Sequence, residues 1–219
     1  MQKQTGGYQE LTEDQRRSFP SADRMIRFSP RAVTLAPQER QTVRLSLRRP
    51  DNLEPGEYRS HLAFEAIDDA APTKEAERGV GIQVKINMAF SIPVVVRHRV
   101  SNVEVELTKP EFFSVMHNNE QKYLMQFRII NKGNASAFGN LKAYWQTGAN
   151  TFSETPTGIL NNVSVFTENP QRFMNLGLKE IPNRPTLLKL VYEGAQEMNG
   201  KIIDEIIVEA DPKSFSSAY

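Results

Sequence analysis

The chain has 219 residues, no cysteine and a formal net charge of +1 at pH 7. The length predicts one or two domains, the lack of cysteine excludes disulfides and thiol catalysis, and the near-neutral charge favours no nucleic-acid partner. No apolar run approaches the roughly 20 residues of a membrane span. The N-terminal residues lack the apolar region of a signal peptide, so none is predicted on the chain as given.

Short alternating runs separated by turn residues begin early in the chain. Residues 43–47 carry apolar side chains at alternate positions, and a second strand-like run extends over 58–67. Residues 68–79 are polar and include proline and glycine. This composition predicts a loop between two long strands.

Residues 82–92 carry the strongest strand signal. Large apolar residues occupy every even position, and Gln, Lys, Asn, Ala or Ser occupies every odd one. Because alternate side chains of a strand point to opposite faces, this pattern predicts one wholly apolar face. At about twice the usual strand length, the segment is either the centre of a sheet or a strand lent to another protein. The face consists of Ile82, Val84, Ile86, Met88, Phe90 and Ile92.

A polar boundary at residues 97–102 precedes a second series of alternating runs. Runs of this kind with Asn, Gly and Pro between them are typical of β-sandwiches. The sequence therefore predicts an all-β protein with two β-sandwich domains, residues 1–98 and 99–219. The alternating apolar positions of the second domain are Tyr123, Met125, Phe127, Ile129, Leu141, Ala143, Trp145, Val163, Val165, Met174, Leu176, Leu178, Leu188, Leu190, Tyr192, Ile206 and Val208.

Catalytic chemistry has little support in the sequence. The three histidines, His61, His98 and His117, lie far apart and show no metal-ligand spacing, so we interpret them as surface or turn residues. The motifs of nucleophile elbows, phosphate-binding loops and dinucleotide sites are absent. We expect a protein that is not an enzyme and that uses no cofactor or metal.

Arginine is concentrated in the first 60 residues, which hold eleven basic and eight acidic residues. We interpret most of these arginines as a solvated face. The alternative is a basic cleft that binds a carboxylate, because guanidinium groups bind carboxylates bidentately. A nucleic-acid surface is disfavoured, since interleaved aromatic residues are missing. The arginines concerned are Arg24, Arg27, Arg31, Arg40, Arg44, Arg48 and Arg49.

Three segments resemble the PapD-like periplasmic chaperones of pilus and fimbrial assembly. MIRFSPRAVTLAPQERQTVRL (25–45) is similar to a turn-and-strand segment of that family, and PGEYRSHLAF (55–64) is similar to one of its strands. The strand 82–92, followed by PVVVR, stands where the family has the last long strand of its first domain. The similarity is specific over 25–98 and loose over 101–219.

The resemblance implies two Ig-like domains in an L or boomerang arrangement and a location in the periplasm. Such chaperones bind unfinished pilus subunits by donating a long strand, and deliver them to an outer-membrane usher. The apolar face of 82–92 would then be the subunit-binding donor strand, with pilus subunits and an usher as partners. The sequence leaves self-association through the edge of this strand open.

Two features depart from the family pattern. Pro93 stands where the family has an anchoring lysine, so Arg97 is the nearest candidate for a basic anchor. Residues 1–98 hold roughly five or six predicted strands, whereas an Ig-type domain has about seven, so we expect the first domain to be incomplete and to lack its signal peptide and first strands. The competing function is a structural or adhesive surface protein with two Ig-like domains and no chaperone role.

Overall fold

The computed structural model of the chain describes residues 3–5, 11–66 and 89–217. Strands make up 54% of the structure and helices 8%, so the protein is mostly β, as the sequence predicted. The chain divides into two compact units. The larger unit contains residues 1–19, 55–57 and 99–219, and the smaller unit contains residues 20–54 and 58–98.

A short helix, α1 (Glu13–Ser18), precedes the strands. The Thr12 hydroxyl accepts a hydrogen bond from the Gln15 amide at 3.3 Å, and the Gln15 side-chain oxygen accepts one from the Thr12 amide at 3.1 Å. This capping box satisfies two backbone donors at the start of the helix. Apolar periodicity did not predict α1, because the helix buries no residue. The Thr-x-x-Gln signature is the signal that could have found it.

Among its described residues, the smaller unit contains two ribbons of two strands each. The first pairs β1 (Ile26–Ser29) with β2 (Arg44–Leu47) in antiparallel fashion. The second pairs β3 (Gly56–Glu65) with β4 (Ala89–His98). The apolar core of this unit is small, with Ala22, Met25 and Val96 buried and with Ile26, Leu53 and Tyr58 packed against them.

The described part of the larger unit contains ten strands in two sheets. These strands are β5 (Val105–Leu107), β6 (Glu111–His117), β7 (Glu120–Asn131), β8 (Ala137–Gly148), β9 (Thr151–Phe152), β10 (Gly158–Val165), β11 (Gln171–Leu178), β12 (Thr186–Gly194), β13 (Ile202–Ala210) and β14 (Ser216–Ser217). The first sheet has the order β11-β7-β6-β14, with β5 also paired to β7. The second has the order β10-β8-β12-β13, with β9 paired to β8. All pairs are antiparallel except the one between β14 and β6.

Both sheets of the larger unit contribute alternate side chains to one apolar core. The alternation predicted from the sequence is confirmed for β7, β8, β11 and β12, where the expected residues from Met125 to Tyr192 are buried. Tyr123, Ile206 and Val208 are only partly buried and pack against this core. Tyr192 is fully buried, and its hydroxyl donates a hydrogen bond to the Val163 carbonyl at 2.9 Å. The buried hydroxyl of Tyr192 therefore has a hydrogen-bond partner within the core.

Candidate functional site

Strand β4 carries an apolar face that is buried at one end and exposed at the other. Val96 is 8% exposed and belongs to the core of the smaller unit. On the same side of the strand, Ile92 is 54% exposed and Phe90 is 65% exposed. Because alternate side chains of a strand share one face, the apolar face runs continuously from the core into solvent.

Strand β3 repeats this arrangement. Tyr58 packs against the same core as Val96, so the even-numbered side chains of both strands lie on one side of the ribbon. Phe64 lies on this side and is 38% exposed. Sequence analysis gave Phe64 no role, although its even spacing from Tyr58 was the available signal. The ribbon of β3 and β4 thus presents apolar side chains from both strands.

Strand β4 contains a proline, Pro93, in its middle. Pro93 has no backbone N–H, so it is tolerated in a strand where that donor would point away from the partner strand. Among the described strands, β4 pairs with β3 alone. It therefore has a second edge without a strand partner in the described part of the chain. Such an edge is able to form main-chain hydrogen bonds with an added strand.

The predicted donor residues are only partly covered by the structure. Phe90 and Ile92 are described and exposed. Arg97, the candidate anchor, is half buried and lies on the opposite face of β4. Next to it in the chain, His98 places Nδ1 within 3.3 Å of Arg49 Nη1. The remaining donor residues, Ile82, Val84, Ile86 and Met88, lie outside the described residues.

The ribbon of β1 and β2 adds a second apolar surface. The sequence indicated the alternation of residues 43–47 but assigned it no binding role. Its register pairs Ile26 with Leu47 and Phe28 with Leu45, so these four side chains share one face. Ile26 packs against the core, whereas Leu45 and Leu47 are 48% and 57% exposed.

In its described part, the smaller unit buries three apolar residues and exposes many more. The large apolar residues that it exposes are Val33, Leu35, Leu45, Leu47, Phe64, Phe90 and Ile92. Apolar side chains of this kind are typical of a surface that binds another protein where they form one contiguous patch.

The arginines of the first 60 residues do not converge on a described pocket. All seven singled out from the sequence are exposed. Arg27 pairs with Ser46 and Arg44 with Ser29, which places both on the polar face of the first ribbon. The Arg31 guanidinium lies 5.3 Å from the centre of the Phe28 ring. This distribution agrees with a solvated face better than with a carboxylate-binding cleft.

Three groups of the larger unit, Glu120, Lys142 and Tyr192, have shifted pKa values, and the last two are partly or fully buried. Burial raises the pKa of Tyr192, because the charged phenolate would lose its hydration. A hydrogen bond to the Glu193 carboxylate at 2.6 Å raises the pKa of Lys142. The pKa shift of Tyr192 follows from a core position and that of Lys142 from its ion pair with Glu193.

Residues 3–5, 11–66 and 89–217 contain neither a metal-binding cluster nor a helix that could span a membrane. Within these ranges, no three His, Cys, Asp or Glu side chains are close enough together to hold a metal ion. None of the helices there has the length and apolar character that crossing a bilayer requires.

Comparison with protein families, with curated proteins and with solved structures finds no match to this chain.

Proposed function

We propose that the protein is a periplasmic chaperone that binds pilus or fimbrial subunits by donating the strand 82–92. One observation carries the proposal: the apolar face of β4 continues from buried Val96 to exposed Ile92 and Phe90. A strand that is held at one end and apolar but uncovered at the other is suited to pair with a protein that lacks a strand. The segments 25–45 and 55–64, which resemble the PapD-like family, support the same function.

The proposed binding mode uses both the backbone and the side chains of the strand. Main-chain groups on the open edge of β4 pair with the edge of the subunit, while alternate apolar side chains fill its groove. Full burial of a Phe or Ile side chain is worth about 1.5–3 kcal/mol. With more than half of each surface exposed, Phe90 and Ile92 would each contribute roughly 1–2 kcal/mol to the complex. Arg97 is the proposed basic anchor.

The proposal includes two Ig-like domains and delivery of the subunit to an outer-membrane usher. The proposal of Ig-like domains is supported in the larger unit by two mainly antiparallel sheets that share a single core. For the smaller unit, support comes from its ribbons with one apolar face each. A gene neighbourhood that encodes an usher and small subunits is expected for such a chaperone.

The test is co-expression with a small pilus-type subunit encoded beside this chain, followed by co-purification. Phe90→Asp and Ile92→Asp are expected to abolish recovery of the subunit, because an unpaired charge in an apolar groove costs several kcal/mol. Val84→Asp and Ile86→Asp are predicted to act in the same way. Ser91→Asp is the matched control, since Ser91 is exposed on the opposite face of the same strand.

Recovery of the subunit at the wild-type level with Phe90→Asp and Ile92→Asp would contradict strand donation. A chain that binds no subunit, and whose gene neighbourhood encodes no usher, would instead favour the structural or adhesive surface role.

A further inference from the structure

Strand β11 forms one edge of the first sheet of the larger unit, with β7 as its neighbour. The register of this pair determines where its backbone groups point. The Asn131 amide donates to the Pro170 carbonyl at 2.7 Å, which makes these two residues a hydrogen-bonded pair. In an antiparallel ladder such pairs alternate with pairs that do not bond. Even-numbered residues of β11 therefore bond to β7, and odd-numbered residues direct their N–H and C=O groups outward.

Two further hydrogen bonds agree with this direction. The Phe173 amide donates outward to the Gln4 carbonyl at 2.8 Å, and the Lys179 amide donates outward to the Thr157 carbonyl at 2.8 Å. The strand end near Lys179 is thus covered by residues 157–158. A Cβ placed on Gly158 would lie 2.6 Å from the Gly177 carbonyl oxygen, which shows how closely the backbones approach there. The uncovered part of the edge is the stretch 171–175.

We propose that the outward edge of β11 binds an extended segment at Phe173, and that residues 3–5 of the chain are this segment. An uncovered edge is a template for pairing with any extended segment. The hydrogen bond from Phe173 to Gln4 places that segment on the edge within the same unit. The segment thereby protects the larger unit from edge-to-edge pairing with a second copy. This surface belongs to β11 in the larger unit, whereas β4 belongs to the smaller unit. The inference is therefore independent of the chaperone proposal.

Proline substitution on the full chain tests the proposal. Phe173→Pro removes the donor to Gln4, and an edge strand tolerates proline where the N–H points away from its neighbour. Asn175→Pro is the control for inserting proline into this edge, because the Asn175 amide also points outward and has no backbone partner among the described residues. This variant also removes the side-chain oxygen that accepts a hydrogen bond from Gln126 at 3.0 Å. Circular dichroism and the fluorescence of buried Trp145 report whether each variant folds.

The readout is the rate of native-state trypsin cleavage after Lys3, followed by mass spectrometry. Loss of one net backbone hydrogen bond is expected to speed cleavage about five-fold in Phe173→Pro and to leave the rate unchanged in Asn175→Pro. Equal rates in folded Phe173→Pro and in the wild type would overturn the proposal. Protection of Lys3 that grows with protein concentration would also overturn it, because the occupant would then come from a second copy.

Amide exchange in the wild-type protein provides a measurement that does not depend on a variant folding. By NMR, the Phe173 amide is expected to exchange at least about five times more slowly than the Asn175 amide, after correction for intrinsic rates. Equal corrected rates at the two positions would overturn the proposal.

Discussion

Truncation of two side chains on the same face of β4 should have very different effects on the stability of the smaller unit. Val96 is 8% exposed and Ile92 is 54% exposed, although they are four residues apart on one strand face. Val96→Ala removes two buried methylene equivalents at about 0.8 kcal/mol each and leaves a cavity, so the expected loss is about 2 kcal/mol. Ile92→Ala removes more atoms, but from a mostly hydrated site, and should cost less than about 1 kcal/mol.

The assay is urea unfolding followed by NMR of methyl-labelled methionine. Met25 is buried in the same small core as Val96, so its methyl resonance reports on the smaller unit. Met125 is buried in the core of the larger unit and reports on that unit in the same sample. The free energy of unfolding is taken from the Met25 transition of each variant, with the wild type and Ser91→Ala as references.

Equal losses for Val96→Ala and Ile92→Ala would refute this reasoning. Such a result would mean that Ile92 is covered in solution by something that belongs to the folded chain. The face of β4 would then be an ordinary core face, and the main support for strand donation would be lost.

Further outcomes are expected in the larger unit. Gly139→Ala should destabilise the larger unit by about 1–3 kcal/mol in thermal melts, because the new Cβ would lie 2.4 Å from the Glu193 carbonyl oxygen. Gly177→Ala, with nothing within 4 Å, should change stability by less than about 0.5 kcal/mol. Tyr192→Phe should cost about 1 kcal/mol at neutral pH by removing the bond to the Val163 carbonyl. Burial raises the pKa of Tyr192 above its ordinary value of 10.0, so the free energy of unfolding of the wild type should fall as pH rises above 10. If Tyr192→Phe shows the same alkaline fall in urea titrations, this assignment is wrong.

Which side chains line each strand face was predictable from the sequence in most of the larger unit. Leu188, Leu190 and Tyr192 share one face of β12, and all three are fully buried. The reason is local, because the two-residue period of a strand fixes which side chains share a face. The short helix α1 was missed by this criterion, since its stability signals are caps and not apolar spacing.

Whether a face is covered was decided only by the tertiary structure. Leu45 and Leu47 have the same alternation as Leu188 and Leu190, yet they are 48% and 57% exposed. Coverage depends on which strands pair and pack across long sequence separations, and a local pattern contains no information on those partners. For the same reason the sequence identified the apolar face that includes Phe90, but only the structure shows that Phe90 is uncovered while Val96, on the same face, is buried in a core.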